Sequence, residues 1–152
     1  MIRNRLFCAA AYAAILALAA CLVSAEAAAA SYTRIAPVQA KVVGAAPEFP
    51  GGGYRAENLL KPAAPGGFRS EYASHGQGQR TFVDFDLGKP VPVAAFRHIQ
   101  RRTIDTMAEA NLVFSGSADL KNPVATVKVK HVDEPGATTF AAFPPVTARF
   151  VR

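Results

Sequence analysis

The chain of 152 residues has no tryptophan, and its only two cysteines, Cys8 and Cys21, fall within the first 25 residues. Downstream of them no disulfide can form, so whatever folds there stands on its apolar core alone, without the covalent staple common in exported domains. Acids are scarce too, 11 against 17 lysines and arginines, for a formal charge of +6. The basic residues are nevertheless spread along the chain, with no dense stripe interleaved with aromatics, which argues against a nucleic-acid partner. Charge is absent altogether from the apolar run 6–23, which follows Arg3 and Arg5 and is not succeeded by a basic cluster. That is the build of a secretory signal, residues 1–25, rather than of a membrane anchor. Val23-Ser24-Ala25 and Ala25-Glu26-Ala27 put small residues where signal peptidase reads, so a start near Glu26 or Ala28 is expected, and removal of residues 1–25 takes Arg3 and Arg5 and reduces the charge to +4. Leu18-Ala19-Ala20-Cys21 opens a second route, acylation of Cys21 as in a bacterial lipoprotein, and that lipid would be the chain's one hold on a membrane. Either route places the protein in the periplasm, outside the cell or at the outer membrane of a bacterium.

The motifs of catalysis are missing as well. Phe114-Ser115-Gly116-Ser117-Ala118 lacks the flanking glycines that let a nucleophilic serine sit on a strained turn. The glycines at 51–53 lead into no Gly-Lys-Ser/Thr, and Gly76-Gln77-Gly78 stops short of a dinucleotide fingerprint. His75, His98 and His131 are far apart and none has a ligand-type neighbour at the spacing zinc sites use, so each is read as a surface or strand histidine. No spacing of acids points to a glycosidase pair. No enzyme activity and no cofactor are expected.

What remains is a β pattern. Residues 26–31 form an alanine-rich spacer, a first strand is expected before residue 43, and glycine and proline collect at 44–53 as in a loop. From residue 81 the period is two: Val83, Phe85 and Leu87 alternate with Asp84 and Asp86. Further strand-like runs are 93–100, 111–115, 124–131, 138–143 and 147–151, separated by Gly88-Lys89-Pro90, Asn122-Pro123, Glu134-Pro135-Gly136 and Pro144-Pro145. One or two helical turns are expected at 55–60. The economical fold is an all-β antiparallel sandwich, with Val83, Phe85, Leu87, Phe96, Leu112, Phe114, Val127, Val129 and Phe150 buried between two sheets.

Six short motifs over this stretch stand in a recognisable order: Ala56-Glu57-Asn58-Leu59-Leu60, Phe68-Arg69-Ser70, Phe85-Asp86-Leu87-Gly88-Lys89, Phe96-Arg97-His98-Ile99-Gln100-Arg101, Phe114-Ser115-Gly116-Ser117-Ala118-Asp119 and Ala148-Arg149-Phe150-Val151-Arg152. In that order they resemble the discoidin, or coagulation-factor type C, domains, over residues 44–152. The resemblance implies a galactose-binding-like jelly roll whose end loops hold a glycan, a lipid headgroup or another protein, and bacterial domains of this kind commonly serve as carbohydrate-binding modules. Two departures matter. Lys61 stands where the family has an aspartate in a loop that often holds calcium, and a cation there repels Ca²⁺, so calcium is not expected. Phe68 replaces the usual tryptophan. The family's last strand also continues beyond the point matching Arg152, so the chain reads as truncated or as the N-terminal part of a larger exported protein.

Ligand residues are sought in the loops, because the strands use up the apolar pattern. The loop 69–80 offers Glu71, Tyr72, His75 and Gln77, with a tyrosine face suited to a sugar ring. The loop 100–109 offers Arg101, Arg102 and Asp105, where one arginine is equally suited to an ion pair with a neighbouring carboxylate. If Gly88-Lys89-Pro90 turns the strand 81–87 back on 93–100, both loops open at the same end of the sandwich. The expected protein is therefore a monomeric, non-catalytic module for carbohydrate or another cell-surface ligand. The alternatives are a fragment of a polysaccharide-active enzyme and a structural protein-interaction domain.

Overall fold

Alternation of apolar and polar residues becomes five strands in the computed structural model, which describes residues 31–35, 39–51, 53–61, 71–76, 80–101 and 106–152. The signal segment with Cys21, and Phe68, Gln77, Arg102 and Asp105, lie outside the described residues. The strands are β1 (Lys41–Ala45), β2 (Val83–Ile99), β3 (Glu109–Ser115), β4 (Ala125–Lys130) and β5 (Thr138–Val151), and a 3-10 turn spans Ala56–Leu60 where the helical turns were expected. Among the described residues no helix is long and apolar enough to cross a membrane.

All five strands join one antiparallel sheet in the order β1-β2-β5-β3-β4. The expectation of six separate runs needs correction at two points. Gly88-Lys89-Pro90 is not a hairpin turn and Pro144-Pro145 is not a break, because β2 and β5 run straight through them as strands of 17 and 14 residues. Prolines cannot donate to a ladder, and here they mark places where the ladder skips. Between Asp86↔Phe150 and Val91↔Ala148, β2 carries the extra residues; between Val93↔Val146 and Ala95↔Ala142, β5 does. Each bulge bends the paired ribbon and deepens its twist.

The bends fold the sheet over a core. Leu112, Phe114, Val129 and Ala148 are its buried centre, and Val93 and Phe96 of β2 and Ala141, Phe143 and Val146 of β5 pack on it. Residues of β2 and β5 thus pack on residues of β3 and β4, which gives a sandwich-like interior within a single sheet rather than between two separate sheets. Of the nine residues expected inside, Leu87, Leu112, Phe114, Val129 and Phe150 are buried and the other four are partly buried, all of them in strands. Burying such side chains contributes roughly 1.5 to 3 kcal/mol each. On the polar side of β2, Asp86 takes a two-pronged contact from Arg149 (2.9 Å on both prongs) and Asp84 one from Arg152 (2.6 and 2.9 Å). The C-terminal end of β5 is flanked by β2 through Phe85↔Val151 and by β3 through Phe114↔Val151.

Candidate binding site

After β1 the chain cannot continue its alternation through Pro47, Pro50 and Gly51, and it leaves the sheet as an irregular ribbon paired with residues 71–75. Phe49 N–H donates to Ala73 O (2.9 Å), His75 N–H to Pro47 O (3.2 Å) and Ala73 N–H to Tyr54 O (3.4 Å). Asn58, in the 3-10 turn and 3% exposed, clamps the two limbs. Its amide donates to Gly53 O (2.5 Å) and Glu71 O (2.8 Å), while its side-chain oxygen accepts from the Lys61 ammonium (2.8 Å). The Arg34 guanidinium reaches the Leu60 carbonyl at 3.4 Å, at the end of this turn.

Of the sequence candidates, Tyr72 is partly buried, and its hydroxyl lies 2.9 Å from Ala46 O and 3.3 Å from Phe82 O, so it pins the ribbon to β1 and to the entry of β2. Burial pushes the phenol up, more than its bonds to Ser74 and Ala46 draw it down, which keeps it protonated as a donor. Glu71 and Arg101 come together across the two loops, Oε2 to Nε at 3.4 Å, each side chain about a quarter exposed. This is the ion pair offered as the alternative use of an arginine, and it joins the described residues Glu71 and Arg101 of the two candidate loops. The reason differs from the hairpin argument: the loops at the two ends of one long strand meet because β2 and β5 curl, not because two short strands turn back.

His75 is exposed and its ring lies 5.1 Å from that of Phe49. Phe49, 49% exposed, also meets Tyr54 edge-on at 6.3 Å. The Arg101 guanidinium sits over the Tyr54 ring, 5.5 Å from its centroid, a cation-π contact that fixes both planes. Phe49, Tyr54, His75, Arg101 and Glu71 therefore form one surface: rings presented to solvent beside a forked donor and a carboxylate. Beside it, past Glu48, a groove of about 360 Å³ runs along β1 to Ala56 and Glu57. Sequence reasoning missed Phe49 and Tyr54. The available signal was two large aromatics in a glycine- and proline-rich stretch where no strand or helix period accounts for them.

No known protein-family model matches the chain, and a search of curated proteins finds no match.

Proposed function

We propose that this protein is an exported, non-catalytic carbohydrate-binding module of galactose-binding-like jelly-roll type, resembling the discoidin domains. The observation that carries the reading is the Phe49 ring, half exposed and framed by Tyr54 and His75, with Arg101 and Glu71 alongside. An exposed ring costs solvation free energy unless something apolar covers it. The C–H face of a sugar does so, while its hydroxyls take hydrogen bonds from a guanidinium and a carboxylate. The adjoining groove suits a chain of sugars rather than a single ring. Glu71 is committed to Arg101, which favours binding over acid-base work. The Lys61 ammonium on Asn58 supplies a positive charge at the turn where the resembling domains often place calcium, which supports a calcium-free site.

The test is retention in native gels cast with soluble polysaccharides, at neutral pH. Phe49→Ala with His75→Ala is expected to abolish retention on the best polysaccharide, because losing a central ring contact costs about 2 kcal/mol, roughly thirtyfold in affinity. Both side chains are exposed, so the melting temperature should stay within a few degrees of the parent's. Undiminished retention in that variant would remove the site from these residues.

A further inference from the structure

Gln100 follows β2, is 3% exposed, and ties together three stretches of chain. Its side-chain nitrogen donates to Met107 O (2.5 Å) and Val132 O (3.2 Å), and its side-chain oxygen accepts from Met107 N–H (3.0 Å). Its own N–H donates to Ala137 O, and the next residue's carbonyl, that of Arg101, accepts from Gly136 N–H (2.7 Å). This corner therefore holds the backbone from which Arg101 reaches Glu71.

On the residues flanking the corner stand two imidazoles. His98, two residues before Gln100, and His131, the neighbour of Val132, have ring centroids 4.7 Å apart at a steep angle, and Phe96 borders both. His131 is buried, and both its ring nitrogens and Nδ1 of His98 have no hydrogen-bond partner among the described residues. A neutral imidazole carries one N–H, whereas an imidazolium carries two and a full charge. Protonation here thus adds a buried charge and a further unsatisfied donor at once.

Little nearby compensates. On β2, Arg97 lies on the other side of the strand from His98, and on β4, Lys130 is exposed. The β3 carboxylate Glu109 is taken by Lys128 at 2.8 Å, and Asp133 accepts the Thr106 hydroxyl. Glu134 is exposed, and β5 contributes the Thr139 hydroxyl, which accepts from Val132 N–H (2.8 Å).

We propose that His98 and His131 form a proton-operated latch: in mildly acidic surroundings a proton taken up by the pair opens the Gln100 corner and frees Arg101 from Glu71. Burial, with the second imidazole, holds His98 down at about 4 against an ordinary 6.5, and burial lowers His131 as well. An opened corner restores the ordinary affinity for protons, so at pH 5 opening is favoured roughly thirtyfold through His98 alone. The opening goes beyond the carbohydrate reading; only the release of ligand that follows from it rests on that reading.

Amide hydrogen exchange on the full chain tests the latch. After correction for the intrinsic pH dependence, exchange at Gln100, His131 and Gly136 should accelerate at least about tenfold between pH 7 and pH 5 relative to Val113 and Arg152, which pair at the far end of β3. The acceleration should vanish in a His98→Gln/His131→Gln variant. Should that variant not fold, the two imidazole resonances of the parent decide: titration of both below the ordinary 6.5 supports the latch. Uniform exchange across the pH range, or two rings titrating near 6.5, overturns it. Retention on polysaccharide, measured at both pH values, separates the two readings. Retention lost at pH 5 in the parent and kept in the variant supports coupled release. Retention equal at both pH values overturns coupled release, and retention at neither pH sinks the carbohydrate reading while exchange still judges the latch.

Discussion

Asn58 shows how one buried amide decides the position of side chains far from it in sequence. It contacts Gly53, Glu71 and Lys61, so it orders the limb that bears Tyr54, the limb that bears Glu71, and the turn between them. Replacing Asn58 by Ala leaves two carbonyls and an ammonium without their partner. Stranded buried polar groups cost about 1 to 3 kcal/mol each when water cannot reach them, and partial access here places the expected loss near 2 kcal/mol. A lowered denaturant midpoint with an unchanged slope would show it. Because Glu71 O is one of the stranded groups, retention on polysaccharide should weaken in the same variant, which an exposed-surface change would not produce. An unaltered midpoint would mean that the clamp is not a stabilising contact.

At the scale of elements, the bulge in β2 is one of two places where its long ladder with β5 skips. Gly88 has φ of +81°, and a Cβ there would sit 3.1 Å from Gln39 O. An L side chain in that conformation costs roughly 1 to 2 kcal/mol, so Gly88→Ala should lower the melting temperature by several degrees. A melting curve superimposable on the parent's would show that the bulge tolerates a side chain. The bulge also explains which parts of the fold were legible in the sequence. The alternation of Val83, Phe85 and Leu87 with Asp84 and Asp86, the apolar run 111–115, and Val127 and Val129 alternating with Lys128 and Lys130 all mark strands by local period, and the strands are there. Gly88-Lys89-Pro90 and Pro144-Pro145 look the same locally whether they turn a hairpin or mark a skipped rung. The choice is made by the partner strand about 60 residues away, beyond any local pattern. Loops have no period at all, so Glu71 and Arg101 could be named as candidates but Phe49 could not be paired with His75.

For the whole molecule, acid should act in two separate windows. His98 and His131 are depressed in the folded state, so their contribution is fully present above the ordinary value of 6.5 and declines below it, the share of His98 being lost as the pH falls through about 4. Asp86 is held down at about 2 by its bond from Arg149 and by the Gly88 amide, so its contribution is present above 3.8 and is lost as the pH falls through 2. Thermal unfolding followed from pH 8 to pH 2 should therefore show a first decline below about 6.5 and a second below about 4. Asp86→Asn should remove part of the second and leave the first. A single decline confined to below pH 4 would contradict the histidine contribution.

The strand order β1-β2-β5-β3-β4 puts the strand that comes last in sequence among the five described ones in the middle of the sheet. During synthesis β1 can find β2, and β3 can find β4, but these pairs have no ladder between them until β5 emerges. The largest ladder in the protein joins segments as distant as Phe85 and Val151. Closing so long a loop before any reward makes folding slow, and the half-built sheet cannot set early. A chain of this design stays pliable until β5 is available to join its two halves, so its edges remain open to other strands for longer than those of a sheet built in sequence order.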